Sequence, residues 1–304
     1  VVENRDFPVE RFHLSTDRNG LFGVEWGGLR SPKSWELSLW LGYANEPLVV
    51  YQTVNGSRER VGDLVKTRVG GELAASYSLF KWLQLSVSIP LVLYQDRDAA
   101  IPGVSMDLAS ISGVAFGDIR LSPKFAILRQ AKHKVDLALM AEIGLPSGLS
   151  KNYRGDDGLT VQPTLMVSRH DGGWRYAANI GYFARKQSSV VNQIVDDEIS
   201  LRVGGGYRFA SKPLELDLTV SSAVAAAHPF KNFNQNHLEV IGGPSYELGG
   251  KWIAFAGGGV GIQQGFGTPD FRLLAGVRMG RLQDQPEDED TDGDGIRDSK
   301  DKCR

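Results

Sequence analysis

The residues best arranged for chemistry form one run near the C-terminus, Asp290-Thr291-Asp292-Gly293-Asp294-Gly295-Ile296-Arg297-Asp298-Ser299-Lys300-Asp301. Carboxylates at positions one, three and five, with Gly295 at position six for a sharp turn, follow the arithmetic of a calcium loop. The backbone carbonyl of Ile296 falls at position seven, Asp298 at nine and Asp301 at twelve. Closely spaced hard oxygens are what Ca2+ requires. Asp290, Asp292, Asp294, Ile296, Asp298 and Asp301 are therefore the candidate metal ligands, with Ca2+ the expected cofactor. Position twelve is Asp where an EF-hand has Glu, and no amphipathic helix flanks the loop.

Catalytic chemistry finds much less support. The five histidines are His13, His133, His170, His228 and His237. Only His228 and His237 fall in an expected outward loop, and Asp196 and Asp197 are the acids that could join them. Neither a G-x-S-x-G elbow nor an H-E-x-x-H pair occurs. The glycine runs 204–206 and 257–259 lie inside strand patterns. A phosphate loop needs a helix N-terminus behind it. The chain reads as a non-enzyme, with no catalytic residue assigned.

The elements that must position any site are strands. From Leu214 the apolar set is Leu214, Leu216, Leu218 and Val220, with Glu215, Asp217, Thr219 and Ser221 between them. Such alternation puts every second side chain on one face. Twelve such segments begin near Trp35, Arg68, Leu83, Asp118, Val135, Leu159, Trp174, Ile199, Leu214, Leu238, Lys251 and Phe271. Most run about ten residues, the length of a tilted strand crossing a bilayer and longer than an ordinary globular strand. Short connections near residues 80–82, 129–133, 171–173, 210–213 and 249–250 alternate with long ones near 53–66, 96–113, 148–158, 186–197, 226–236 and 263–270. Short periplasmic turns, long extracellular loops and an even strand count describe an outer-membrane barrel with both termini in the periplasm. Aromatic residues gather near the strand ends, as interfacial girdles do. The expected fold is all-β: a twelve-stranded antiparallel transmembrane β-barrel over 34–280, in contact with outer-membrane lipid. A segment 1–33 precedes it, and an acidic linker over 281–289 leads to the calcium-binding loop segment in 290–304. A soluble β-sandwich is the weaker alternative.

Composition agrees. No run of about 18 apolar residues exists, so no transmembrane helix is expected. The 34 basic and 36 acidic residues give a net charge of -2, which offers nucleic acid no basic face. The 36 glycines exceed average usage. A start at Val1 fits a processed, mature chain. On the expected lumenal face the two charge signs are evenly matched, from Glu36, Arg68 and Glu72 to Arg272 and Arg278. A strongly ion-selective pore would favour one sign. Matched charges in a narrow barrel are expected to pair into a network that fills the lumen, and Gly204, Gly206, Gly276 and Ser86 leave room for a plug. Residues 1–33 could form an extra strand, a plug or a periplasmic tether; an ordered periplasmic or lumenal segment is the favoured expectation.

The pattern D-x-D-G-D-G-x-x-D-x-x-D-x-C over Asp290–Cys303 resembles a thrombospondin type 3 repeat. The resemblance implies that Asp290, Asp292, Asp294, Asp298 and Asp301 ligate calcium and that Cys303 bridges to a cysteine of a further repeat, so that the chain is truncated. A barrel followed by such repeats resembles the OmpA-family outer-membrane proteins of the myxobacterial type. The segments 34–51 and Gly117–Lys124 are similar to barrels of that group. The resemblance implies a membrane anchor whose extracellular loops contact a cell-surface partner, an adhesin in cell–cell contact or outer-membrane exchange. It also implies a calcium-bound linker leading to a peptidoglycan-binding domain absent from this sequence. The alternative expectation is a small-solute porin or outer-membrane transporter. Val190, Val191, Ile194, Val195, Phe230 and Phe233 would give the loops an apolar surface, unless they pack on one another.

Overall fold

The computed structural model describes residues 5–104, 110–148, 152–249 and 251–281. The calcium-loop residues Asp290–Asp301, the linker after Arg281 and Cys303 lie outside the described residues. Among the described residues the strands are β1 (Trp35–Val54), β2 (Ser57–Phe80), β3 (Leu83–Asp96), β4 (Ala115–Phe116), β5 (Ile119–Leu128), β6 (Asp136–Leu145), β7 (Thr160–Asp171), β8 (Trp174–Phe183), β9 (Ser188–Val190), β10 (Gln193–Val195), β11 (Glu198–Arg208), β12 (Leu214–Ala225), β13 (His237–Gly249), β14 (Trp252–Gln264) and β15 (Phe271–Arg281). Every one of the twelve segments expected from alternation is a long strand. The three additions, β4, β9 and β10, are two or three residues long and belong to loops.

The long strands form one antiparallel sheet in sequence order. It closes because β1 pairs with β15 from Trp35–Arg281 to Ala44–Arg272, while β2 pairs with β3. Closure leaves no unpaired edge, which hydrocarbon would not tolerate. Both ends of the barrel sequence meet on the side of the short turns, one of which carries a single-turn helix, α1 (Gln130–His133). One expectation is corrected. Residues 53–66 are not a loop: β1 and β2 run on past the neighbouring strands and meet in a two-residue turn, Asn55-Gly56, both at positive φ. Asn-Gly is the preferred pair for such a hairpin, because both central residues must enter the left-handed region.

Alternation now has a direction. Leu37, Leu39, Leu41, Leu165, Ile180, Leu201, Val203, Leu218 and Leu273 point outward and are exposed, whereas their polar neighbours are buried inside. A soluble sandwich would bury the apolar set and expose the polar one, so the sandwich alternative fails. Aromatic rings mark both rims of the apolar band. At the short-turn end Phe80 stacks on Trp82 with centroids 5.3 Å apart, and Trp174 meets Tyr207 at 4.9 Å. At the loop end Tyr43 lies 5.7 Å from Phe271. The chain is an outer-membrane β-barrel.

Val203 sits midway along β11 on the lipid face. Val203→Arg is expected to lower folding stability by about 2–4 kcal/mol, the cost of a cation at the bilayer midplane. Reversible denaturant unfolding in lipid vesicles measures it; an unchanged midpoint would mean that this face is not in lipid.

Candidate functional site in the barrel lumen

Residues 5–34 enter the barrel and run its full height. At the loop end, the amide of Val9 donates to the carbonyl of Tyr153 at 3.2 Å and the amide of Tyr153 donates to Arg5 at 2.9 Å. At the turn end, the Lys33 amide donates to Ser78 at 2.7 Å and the Ser78 amide to Ser34 at 2.9 Å. Midway, reciprocal amide–carbonyl bonds between Leu21 and Val24 close a tight turn, with Phe22 at φ 40°. Of the locations open for this segment, the structure places it in the lumen as a plug.

Charge holds the plug. The Lys124 ammonium, wholly buried, donates to Asp17 at 3.0 Å and to Glu25 at 3.1 Å. Glu36 of β1 accepts from Arg18 and Arg30 of the plug at 3.1 Å each, and from Arg278 of β15 at 2.8 Å. Glu10 of the plug meets Arg272 at 2.8 Å, and Arg272 also binds Glu239 at 2.8 Å. Arg11 forms a two-pronged pair with Glu198. Removing so many charges from water is costly unless each finds a partner. Burial pushes the Asp17 carboxyl up, but Lys124 and Arg30 outweigh it and hold Asp17 well below the usual carboxylate range. Burial likewise opposes Arg272 and Arg68 at Glu10, which ends below its ordinary value. Burial, reinforced by Arg120, pushes His13 well below 6.5. The neutral ring then accepts from Arg120 at Nε2, so Nδ1 carries the proton and donates to Glu72 at 3.1 Å.

Shape holds it as well. Phe12, Leu14 and Phe22 of the plug join Trp40, Ile241, Phe255 and Leu274 in an apolar cluster. The strand glycines make the room. A Cβ at Gly206 would collide with Asp217 and press on Leu21; one at Gly257 would lie 2.9 Å from the Phe22 ring. The expected lumenal charges line the interior, with Arg208 and Glu247 at the turn-side rim. What the sequence did not reveal is that residues 10–30 would supply the opposite partners. Their dense, mixed charge between Glu10 and Arg30 was the available signal.

Above the plug the loop end of the barrel is capped. Phe7 and Val9 pack with Leu48, Val50, Leu64, Ile101, Tyr153, Val190, Val195 and Phe266. Val190 and Val195 are thus core residues of the cap, while Val191, Ile194 and Phe230 stay exposed. Between cap and plug lies a cavity of about 90 Å³, walled by arginines, carboxylates, Phe183 and Phe266. Space of this size admits about six to nine waters. The two loop-side histidines do not come together. His237 is buried at the cavity wall, its ring nitrogens 2.9 Å from Ser221 Oγ and 2.6 Å from Thr268 Oγ1. Asp197 accepts from the Tyr182 hydroxyl at 2.6 Å and from the Arg185 amide. No carboxylate reaches either imidazole among the described residues, so the grouping of His228 and His237 with Asp196 or Asp197 does not form.

Lys124→Met would strand two buried carboxylates, at a cost of about 3–5 kcal/mol, and is expected to release the plug. Limited proteolysis within residues 5–34 and ion conductance should both rise; a plug that stays protected would show that Lys124 does not anchor it. The pH dependence has a defined sign. A depressed Asp17 favours the docked state above the ordinary carboxylate pKa of about 3.9. That contribution is lost as pH falls below this value. Conductance is expected to stay low at pH 5 and to rise below about pH 3.9, whereas opening already complete at pH 5 would contradict the assignment.

Comparison with known proteins adds the following. A search of curated proteins returns no significant match. Among solved structures, an outer-membrane channel from Pseudomonas putida F1 is similar at 13% identity and a TM-score of 0.61, over 84% of this chain and 97% of that one. The NanC porin is similar at 10% identity and a TM-score of 0.52, over 80% of this chain and 98% of that one. At such identities the likeness is one of fold. The family model described as the MetA-pathway of phenol degradation matches residues 42–265, from the middle of β1 to the end of β14. That match takes in most of the chain and most of its barrel wall, and the chain belongs to this family.

Proposed function

We propose that the protein is an outer-membrane channel for small apolar or aromatic solutes, gated by its own N-terminal segment. The observation that carries this reading is the cavity under the loop-end cap, lined by Phe183 and Phe266 together with Pro8, Glu10, Arg11 and His13 of the plug. A pure anchor has no need of interior space next to ring faces. Membership of a family described by phenol degradation supports an aromatic solute, and the Pseudomonas putida relative in fold is itself described as a channel. The matched charges of the plug–wall interface suit this role: they bar ions and hydrophilic solutes while docked. Conductance in planar bilayers and solute-driven swelling of vesicles test it. The intact chain is expected to conduct weakly and to admit phenol-sized solutes, and deletion of residues 1–33 is expected to raise conductance at least ten-fold. A deletion variant that folds and stays closed would remove the channel reading.

A second reading attaches to the C-terminal segment and rests on its spacing. Asp290, Asp292, Asp294, Asp298 and Asp301, with the Ile296 carbonyl, form a Ca2+ loop between the barrel and a periplasmic domain, as in the thrombospondin-type repeats of OmpA-family anchors. In that role peptidoglycan and a cell-surface adhesin would be the partners, the adhesin contacted through the loops. Terbium luminescence of the full chain should show one saturable, Ca2+-displaceable site, lost in the double variant Asp290→Asn, Asp292→Asn. No saturable signal in the intact chain would remove the calcium loop.

A further inference from the structure

We infer that the lumenal cavity is a binding site for a small aromatic carboxylate, with Arg202 receiving the carboxylate; this rests on the channel reading and names its solute class. The argument starts from the partners of the cavity arginines. Arg11 is engaged by Glu198, Arg120 by Glu72, and Arg68 faces Glu10 at 3.9 Å. Arg202, which projects from the middle of β11 into the same space, has no hydrogen bond and no ion pair among the described residues. Nor is Arg185 satisfied. It faces Asp156 at 3.6 Å, yet its buried Nε and Nη1 hydrogens have no acceptor. Two guanidinium groups with open donors in one enclosed space carry a desolvation cost that an anion would remove.

The cavity carboxylates point the same way. Glu198 is held by Arg11, and Asp118 accepts the backbone amides of Gly148 at 2.9 Å and Asp156 at 2.7 Å. Glu142, 3.9 Å from Arg120, and Asp156 Oδ1 are the open acceptors among the described residues; against them stand the donors of Arg202, Nε and Nη1 of Arg185 and Nε of Arg68 and of Arg154, so an anion fits better than a cation. A carboxylate matches the planar fork of a guanidinium with two parallel hydrogen bonds. Two aromatic rings, Phe183 and Phe266, line the same space. The Arg185 guanidinium lies 4.1 Å from the Phe183 ring centroid, and Arg11 lies 3.9 Å from that of Phe266. A ring entering here exchanges water for these rings while its carboxylate reaches Arg202. The free space, about 90 Å³, is below the roughly 150 Å³ that admits benzene, so a single-ring acid enters only as cavity side chains shift aside, and a sugar chain is far too large.

Isothermal titration of the full chain in detergent, with benzoate, benzyl alcohol and acetate as probes, tests the inference. Benzoate is expected to bind saturably, at least ten-fold tighter than benzyl alcohol, which lacks the charge, or acetate, which lacks the ring. Arg202→Gln should weaken benzoate at least ten-fold and leave benzyl alcohol unchanged, while Arg202→Lys keeps part of the affinity. A heat-modifiable shift on gel electrophoresis verifies that each variant is folded. Equal binding of benzoate and benzyl alcohol, or benzoate binding indifferent to Arg202→Gln, overturns the site. The channel reading fails separately. Benzoate bound through Arg202 in a chain that passes no solute would keep the site and remove the channel; solute passage without benzoate binding would do the reverse.

Discussion

The Lys124 ammonium, wholly buried and shared by Asp17 and Glu25, states the constraint on which this molecule depends. A narrow barrel turns one face of every strand toward an interior that little water reaches. Charged side chains there are stable only when paired, and a wall of strands alone cannot pair them all. Residues 5–34 complete the set. Their acids meet Lys124 and Arg272, and their arginines meet Glu36 and Glu198. Plug and wall are therefore one electrostatic unit, and neither is complete without the other.

That unit also explains the unusual glycine content. Gly204, Gly206 and Gly257 sit where Leu21 and Phe22 press against the wall, and side chains there would hold the plug off. Ion pairs alone would leave a wet, loosely held segment, whereas the Phe12–Trp40 contact at 5.0 Å and its neighbours dry the turn-side half of the lumen. The loop-side half is different. Its cap is apolar, its walls carry arginines, carboxylates and two aromatic rings, and space remains between them. The division into a tightly plugged lower half and a larger cavity above it is what turns a structural barrel into a candidate conduit.

Most of the wall was legible in the chain, because alternation with period two is a direct consequence of strand geometry. Leu214 to Val220 has one reading, and β12 follows it. Residues 53–66 were misread as a loop because Arg58, Glu59 and Arg60 break the apolar alternation. That hairpin stands above the lipid, where no apolar face is required, and Asn55-Gly56 was the turn signal within it. His228 and His237 are near in sequence and are the best-placed histidines the chain offers, yet no catalytic role follows from that. In space His237 belongs to the lumen, with Ser221 and Thr268 as neighbours.

By itself the sequence determined the strand number, the side of the termini, the lipid face and the balance of interior charge. Each is a local property, set by side-chain period, segment length and composition. Only the tertiary structure decided which charges meet. The Asp17–Lys124 pair spans 107 positions and the Arg278–Glu36 pair 242, and no spacing rule reaches that far. It also decided which residues were left over. Arg202 reads along the chain like any other lumenal arginine of the wall, and its open donors appear only once the pairings of plug and wall are in place.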